Sequence, residues 1–338
     1  MQKSENLFKK VVIHPKFNST LNDLKKLNMS FIKEETITKE SDFIINTTYR
    51  LSEIEEDKIK NLDPKNGCEF VKDKQILAYD ESVNKFSGLE GESYFASHSL
   101  VLLGENDYLP INYLSLYFYT KAKNILKESN SIKYTENSEV QSKIDFMKDK
   151  IEFLLNNCPE NSILLIDGPL IAGDAYTYMI SALEKFESKN IIPIFFVKNS
   201  LSNMVIEGNT NLSNIYNTDL HWAYKTLKLG QRSKFFKYMD QANNKNSKIF
   251  CYLKSFDCSP QRLEIPVNIY IKHKSIINDL IDMVYYLILS QGDSKNPQVR
   301  PIAIAEMYAR NTLKLIDFKK IIRSKGITPT MNEERFAW

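Results

Sequence analysis

What this chain lacks narrows the field first. Its four cysteines, Cys68, Cys158, Cys251 and Cys258, form no Cys-x-x-Cys pair, and its four histidines show no zinc-ligand spacing. That argues against a disulfide framework and a structural zinc module, and for reduced thiols in a cytoplasmic chain. The first residues, Met1-Gln2-Lys3-Ser4-Glu5-Asn6, hold no apolar signal core. The most apolar long stretch, Ile276 to Leu289, is too short for about 30 Å of hydrocarbon and carries Asp279 and Asp282. Neither secretion nor membrane insertion fits. No internal repeat and no low-complexity tail is present. An excess of one charge is missing too: 45 Lys and Arg against 42 Asp and Glu leave +3, so a nucleic-acid surface has to come from local segregation of charge.

With 338 residues and 43% hydrophobic content, the chain can bury a large core. Residues 1–74 read as a helical, highly charged N-terminal arm, with Leu51 to Leu62 its clearest polar helix and Asp63-Pro64-Lys65-Asn66-Gly67 the turn that ends it. Strand signals then take over at Gln75 to Asp80, Glu92 to Leu103 and Tyr108 to Thr120, which short connections make an antiparallel meander. From Ser138 to Asn157 the period switches: Val140, Ile144, Met147, Ile151 and Leu154 mark one face of an amphipathic helix. A strand at Ser162 to Ile166, a helix from about Gly173 to Glu187 and a strand at Ile191 to Val197 follow. The order β-β-β-α-β-α-β predicts a ribonuclease H-like mixed sheet flanked by helices. Beyond it come an inserted helical segment at about 199–247, strand-like runs at 248–254 and 262–272, and C-terminal helices over 275–290 and 299–323. The expected division is an arm over 1–74 and one α/β domain over 75–330.

Two strand-like runs end in aspartate: Gln75-Ile76-Leu77-Ala78-Tyr79-Asp80 and Ser162-Ile163-Leu164-Leu165-Ile166-Asp167-Gly168-Pro169-Leu170. In the expected sheet those strands are neighbours, so Asp80 and Asp167 stand side by side. Phosphodiester hydrolysis needs an activated water and a stabilised leaving oxygen, which two divalent ions about 3.5–4 Å apart supply together. Magnesium and manganese take oxygen ligands, hence Asp and Glu. Each aspartate also has a plainer reading, Asp80 as a turn-former ahead of Ser82 and Asn84, and Asp167 as the turn residue of Asp-Gly-Pro. Glu152, beside Ile151 at the edge of the apolar stripe, is the third candidate ligand; its alternative is a solvated glutamate sharing a face with Asp145 and Asp149. Glu306 is the fourth. It falls on an inward face marked by Ile302, Ala309, Leu313 and Ile316, where a carboxylate must find a metal, a proton or a cation. Arg310, one turn later, is the competing partner.

Basic residues collect at Lys198, around Gly230 at Lys225, Lys228, Arg232, Lys234 and Lys237, and at Lys272-His273-Lys274, interleaved with Trp222, Tyr224, Phe235, Phe236 and Tyr238. Such a mixture holds a nucleic-acid strand by charge and stacking, and Lys198, Arg232 and Lys234 are the expected DNA contacts. An ordinary solvated basic surface is the alternative.

Six ordered pieces between residues 75 and 312 carry a resemblance to one family. They are Ala78-Tyr79-Asp80-Glu81-Ser82, Leu165-Ile166-Asp167-Gly168-Pro169-Leu170, Phe196-Val197-Lys198-Asn199-Ser200, Asp219 with Leu229-Gly230-Gln231-Arg232-Ser233-Lys234-Phe235, Arg262-Leu263-Glu264-Ile265-Pro266, and Pro301-Ile302-Ala303-Ile304-Ala305-Glu306. In order and spacing they resemble the NurA nucleases of archaeal and some bacterial DNA-end processing. The resemblance implies a ribonuclease H-like core, a ring-shaped homodimer, and nuclease activity on DNA with Mn2+, or Mg2+, two ions being expected. It further implies 5′ to 3′ exonuclease and single-strand endonuclease character, in resection of double-strand breaks with a HerA-type hexameric translocase. The family's metal ligands carry over onto Asp80 and Asp167, and onto Glu152 by its helix and its distance from Asp167. Three departures stand out. Asp-Gly-Ser of the family is Asp80-Glu81-Ser82 here, an extra acid beside the site, and the family's C-terminal tyrosine and histidine are replaced by Gln298 and Glu306. A silent DNA-binding subunit is therefore the rival expectation.

Overall fold

A computed structural model describes residues 21–23, 43–45, 49–54, 58–104, 107–123, 132–171, 176–208 and 210–335. Thirteen strands join one sheet: β1 Phe43–Ile45, β2 Tyr49–Glu53, β3 Lys60–Asn61, β4 Gln75–Ser87, β5 Glu92–Leu103, β6 Tyr108–Thr120, β7 Ile132–Tyr134, β8 Ser162–Asp167, β9 Ile192–Val197, β10 Gln231–Arg232, β11 Phe236–Asp240, β12 Ser247–Lys254 and β13 Gln261–Pro266. The main helices are α1 Pro64–Val71, α2 Ser138–Asn157, α3 Tyr176–Ser188, α4 Asp219–Thr226, α5 Ile277–Gln291, α6 Arg300–Lys314 and α7 Phe318–Ser324.

The sheet runs β1-β2-β11-β12-β13-β9-β8-β4-β5-β6-β7. Its centre is the antiparallel meander β4-β5-β6, continued by two parallel pairs, β4 with β8 and β8 with β9. That is a ribonuclease H-like mixed sheet flanked by helices. Strand alternation gives it two cores. Ile76 and Ala78 of β4 join Ile163 and Leu165 of β8 on one face, under Leu280 and Val284 of α5 and Ile302 of α6. Leu77 and Tyr79 join Leu164 and Ile166 on the reverse face, under Phe153 and Leu154 of α2 and Met179, Leu183 and Phe186 of α3. Each buried Leu or Ile side chain among these contributes about 1.5–3 kcal/mol, so both layers hold the sheet in place.

The structure differs from the sequence expectations where local charge misleads. Leu51 to Leu62 is not a polar helix: Tyr49–Glu53 is the strand β2, antiparallel to β11, and Leu51 is buried among Trp222, Phe236 and Tyr252. Most of the expected arm, and the Phe336-Ala337-Trp338 end, lie outside the described residues. Between 199 and 247 the helices at Met204–Glu207, Thr210–Ser213 and Asp219–Thr226 are followed by strands β10 and β11. The 262–272 run changes state at Pro266, which has no amide to donate, and continues as a helix over Val267–Lys272. The long C-terminal helix is two helices, because Asp317 caps α7 by accepting from the Lys320 amide. Ile316, expected inward, lies exposed between them.

α2 packs on a broader face than its apolar residues mark, for Leu154 is buried and Met147 and Ile151 pack beside it, but polar residues are enclosed as well. Ser142, Asp145, Lys150, Phe153 and Leu154 are buried, while Val140 is exposed. The facing strands explain this: Asp145 accepts from Tyr119 Oη at 2.8 Å and Lys133 Nζ at 2.7 Å, and Asp149 from Ser115 Oγ at 2.5 Å and from Tyr117 Oη. Partnered polar groups cost little to bury, so the helix packs on hydroxyls as well as on aliphatics.

His98 of β5 is fully buried beneath this helix, with Nδ1 2.6 Å from Tyr79 Oη and its ring 4.6 Å from that of Phe146. Burial pushes its pKa down to about 4. The unfolded chain therefore binds this proton more readily, and stability conferred by the neutral ring is complete above pH ~6.5 and lost as pH falls towards 4, about 3 kcal/mol in all. The difference in unfolding free energy between the parent protein and His98→Gln, measured with denaturant at pH 7 and pH 4.5, is expected to shrink by about 2 kcal/mol on acidification. A pH-independent difference contradicts this account.

Candidate metal centre

The last matched pair of the parallel β4–β8 ladder is Tyr79 with Ile166. The next residue on each strand is an aspartate, and both belong by alternation to the face covered by α5 and α6. β8 ends at Asp167. Gly168 follows with φ +97°, a conformation that suits glycine, and its amide donates to the Phe196 carbonyl at 3.0 Å. β4 does not end at Asp80 but runs on, paired with β5, to Ser87. The turn-former reading of Asp80 thus falls: it is a strand residue, 7% exposed, placed where its parallel neighbour stops.

Glu306 comes from α6, held against the same face by Ile302, Ala305 and Ala309. One carboxylate oxygen from each of Asp80, Asp167 and Glu306 lies within 4.8 Å of the others. Lys198, just past β9, places Nζ 2.6 Å from Asp167 Oδ2 and 3.3 Å from Glu306 Oε2. Arg310 Nη2 sits 2.5 Å from Glu306 Oε1, and Gln298 Nε2 donates to Oε2 at 3.2 Å. The two readings of Glu306 are thus combined, since it joins the acidic cluster and pairs with Arg310.

Burial and the negative charge of Asp167 push the Asp80 carboxyl up to about 7, although its Oδ1 accepts from the Glu81 amide at 2.7 Å. Burial also raises Glu306, but Lys198, Gln298 and Arg310 outweigh it and leave that carboxyl below its ordinary value. Three converging carboxylates, one of them short of positive charge, form an all-oxygen donor set of the kind that hard divalent cations such as Mg2+ or Mn2+ accept. The residues present fit such an ion.

Glu152 is not brought to this cluster. It lies on the exposed side of α2, and α2 packs on the reverse face of the sheet. What α2 brings to β4 is a cation: Lys150 Nζ stands 3.0 Å from Glu81 Oε2 and 4.7 Å from the centre of the Tyr79 ring. Glu81, expected as an extra acid beside the site, thus belongs to the other face. Two of the three expected DNA contacts are also committed elsewhere. Arg232 is 1% exposed, donating to the Ser233 carbonyl and to Asn278 Oδ1 at 2.8 Å each, and Lys234 is paired with Glu53. Lys198 alone of the three reaches the centre. Gln298, noticed in the sequence only as a departure, proves to be a neighbour of Glu306.

Fold and site together define a ribonuclease H-like protein with an acidic, metal-fitting cluster at the end of paired parallel strands. The NurA domain matches residues 36–310. The chain belongs to the NurA family, a membership that supports a nuclease. Among solved structures, the NurA nuclease from Sulfolobus solfataricus is 11% identical over 96% of this chain and 97% of its own, with a TM-score of 0.55, a likeness of fold. Weaker matches are NurA with manganese, 9% identical over 90% of this chain and 97% of its own at TM-score 0.40, and endonuclease V from Bacillus subtilis, 9% identical over 72% and 81% at 0.38. No curated protein matches the chain in sequence.

Because folding raises the Asp80 pKa to about 7, the unfolded chain gives up this proton first, and the resulting penalty on folding of the metal-free protein grows from about pH 4 and is complete above about pH 7. At pH 8, Asp80→Asn is expected to raise metal-free stability by roughly 1–3 kcal/mol and to abolish the increase in melting temperature produced by manganese. Calorimetry with and without the ion checks both signs, and a variant that is less stable yet still stabilised by manganese contradicts the assignment.

Proposed function

We propose that this protein is a metal-dependent DNA nuclease with 5′ to 3′ exonuclease and single-strand endonuclease activity, acting in end resection with a HerA-type translocase. The convergence of Asp80, Asp167 and Glu306 from three separate elements carries the hydrolytic part of the reading. Bound there, divalent ions supply an activated water and stabilise the leaving oxygen. The chain's own contribution is positioning. β4 and β8 fix two ligands through one register, and α6 brings the third across the same face. Lys198 holds a single ammonium between Asp167 and Glu306, where it can be handed to a phosphate oxygen of an incoming strand. Manganese or magnesium is the ion class that the donor set favours.

The motor partner and the homodimer follow from the family resemblance, and charge supports the first. With +3 overall, and with Arg232 buried and Lys234 paired, two of the three cations expected to grip phosphates are taken up elsewhere, so a modest affinity for DNA is expected and processive cutting calls for a translocase. Among the described residues no helix is long and apolar enough to cross a membrane. A catalytically silent subunit is the second reading. It is favoured by the cations already on the acids, Lys198 on Asp167 and Glu306, and Arg310 on Glu306.

Purified protein with magnesium, manganese or cobalt and end-labelled single- and double-stranded DNA separates the two. Metal-dependent cleavage is expected, with losses of at least about a hundredfold in Asp80→Ala and in Asp167→Ala and no loss of fold by circular dichroism. Full activity in either variant removes that aspartate from the mechanism, and an inert parent with all three metals favours the silent subunit.

A further inference from the structure

On the reverse face of the sheet lies a charge cluster that the metal centre does not contain. Glu264 of β13 is fully buried. Its Oε1 is 2.7 Å from Lys248 Nζ of β12 and 2.8 Å from Arg262 Nη2, and both cations are themselves buried. Its Oε2 accepts from the Leu170 amide at 2.8 Å. Arg262 in turn donates from Nη1 to Ser200 Oγ at 2.6 Å.

The faces give these contacts their meaning. Asp167 and Lys198 continue the alternation of Ile163 and Leu165, and of Ile194 and Phe196, on the metal-centre face. Glu264 and Arg262 alternate with Leu263 and Ile265 of that core, so they stand behind the sheet. The chain after Asp167 rolls over the sheet end to the reverse face, where Leu170 is buried with Ile166 and Phe195. The chain after Lys198 makes the same crossing to Ser200. Both loops leave the metal centre in front and are fastened behind, one by the Glu264 carboxylate and the other by the arginine that this carboxylate holds.

We propose that Glu264 and Arg262 are positioning residues for the metal centre, a single buried clamp that fixes the Asp167 and Lys198 loops relative to each other. The claim rests on the metal-centre reading above. A salt bridge serving only general stability has no reason to end on an amide three residues past one site residue and on a hydroxyl two residues past another. Holding a ligand set to within a fraction of an ångström requires supports of this kind, and loops at a strand end lack the ladder that fixes the strands themselves.

The test uses the full chain. Glu264→Met with Lys248→Met leaves the cluster's net charge unchanged and removes the acceptor of the Leu170 amide. Glu264→Gln with Lys248→Met gives an acceptor back, and Ser200→Ala cuts only the second tie. Hydrogen exchange followed by mass spectrometry is expected to show at least tenfold faster exchange across 168–171 and 199–202 in the Met/Met variant, with β4, β5 and β12 unchanged. Protection at 168–171 should return in the Gln/Met variant, and Ser200→Ala should loosen 199–202 alone. Manganese titration by electron paramagnetic resonance should show at least fivefold weaker binding in Met/Met and Ser200→Ala, with kcat reduced more than KM for DNA. Parental exchange in both loops, or loosening of the whole sheet together, overturns the clamp. So does unchanged manganese affinity despite loosened loops. If Met/Met does not fold, Gln/Met and Ser200→Ala decide by the same readouts. A parent that binds no manganese defeats the metal-centre reading instead, and the exchange data still decide whether one clamp holds both loops.

Discussion

Parallel pairing of β4 with β8, in the register that sets Tyr79 against Ile166, sends the next residue of each strand to the same spot on the same face. Because alternation has a period of two, a slip of one residue moves one aspartate behind the sheet and leaves the other alone. The two apolar layers oppose that slip, since it carries Ile76 and Ala78, or Ile163 and Leu165, out from under α5 and α6 and sets an aspartate against the apolar layer beneath α2 and α3. Hydrophobic burial on both faces thus decides where two negative charges meet.

Two carboxylates brought together in this way repel each other, and the surrounding structure answers with cations. Lys198 and Arg310 lie against the acids of the centre. Other basic residues are used to hold polar groups inside the fold, Lys150 with Glu81, Lys248 and Arg262 with Glu264, and Arg232 with Asn278. Several cations thus serve contacts within the fold, so a tally of lysines and arginines says little about a path for DNA.

Much of the fold was legible in the sequence. Glu92–Leu103 and Tyr108–Thr120 are strands of the expected extent, and the pairing of the two aspartate-bearing strands follows from strand order. The inward placing of Glu306 was legible from Ile302, Ala309 and Leu313, with a metal site and Arg310 as its two readings, and its carboxylate lies both near those of Asp80 and Asp167 and against Arg310. What escaped is what depends on partners remote in sequence. Asp145, Asp149 and Lys150 look solvated until tyrosines of β6 and Glu81 of β4 are set against them, so the polar part of the buried face of α2 was missed, and Glu152 takes the solvated one of its two readings. Arg232 reads as a DNA contact because nothing nearby announces Asn278. Leu51 reads as helical because β11, its partner strand, lies far along the chain.

The order in which the ligands leave a ribosome has its own consequence. Asp80 and Asp167 belong to strands made early, whereas Glu306 rides on α6, near the end of the described chain. A nascent polypeptide can pair β4 with β8 and still hold only two of the three carboxylates, until α5 and α6 close over the front of the sheet. The three-carboxylate cluster is complete only once α6 has been made and has docked. A chain clipped before α6 lacks Glu306, and with it one of the three converging carboxylates.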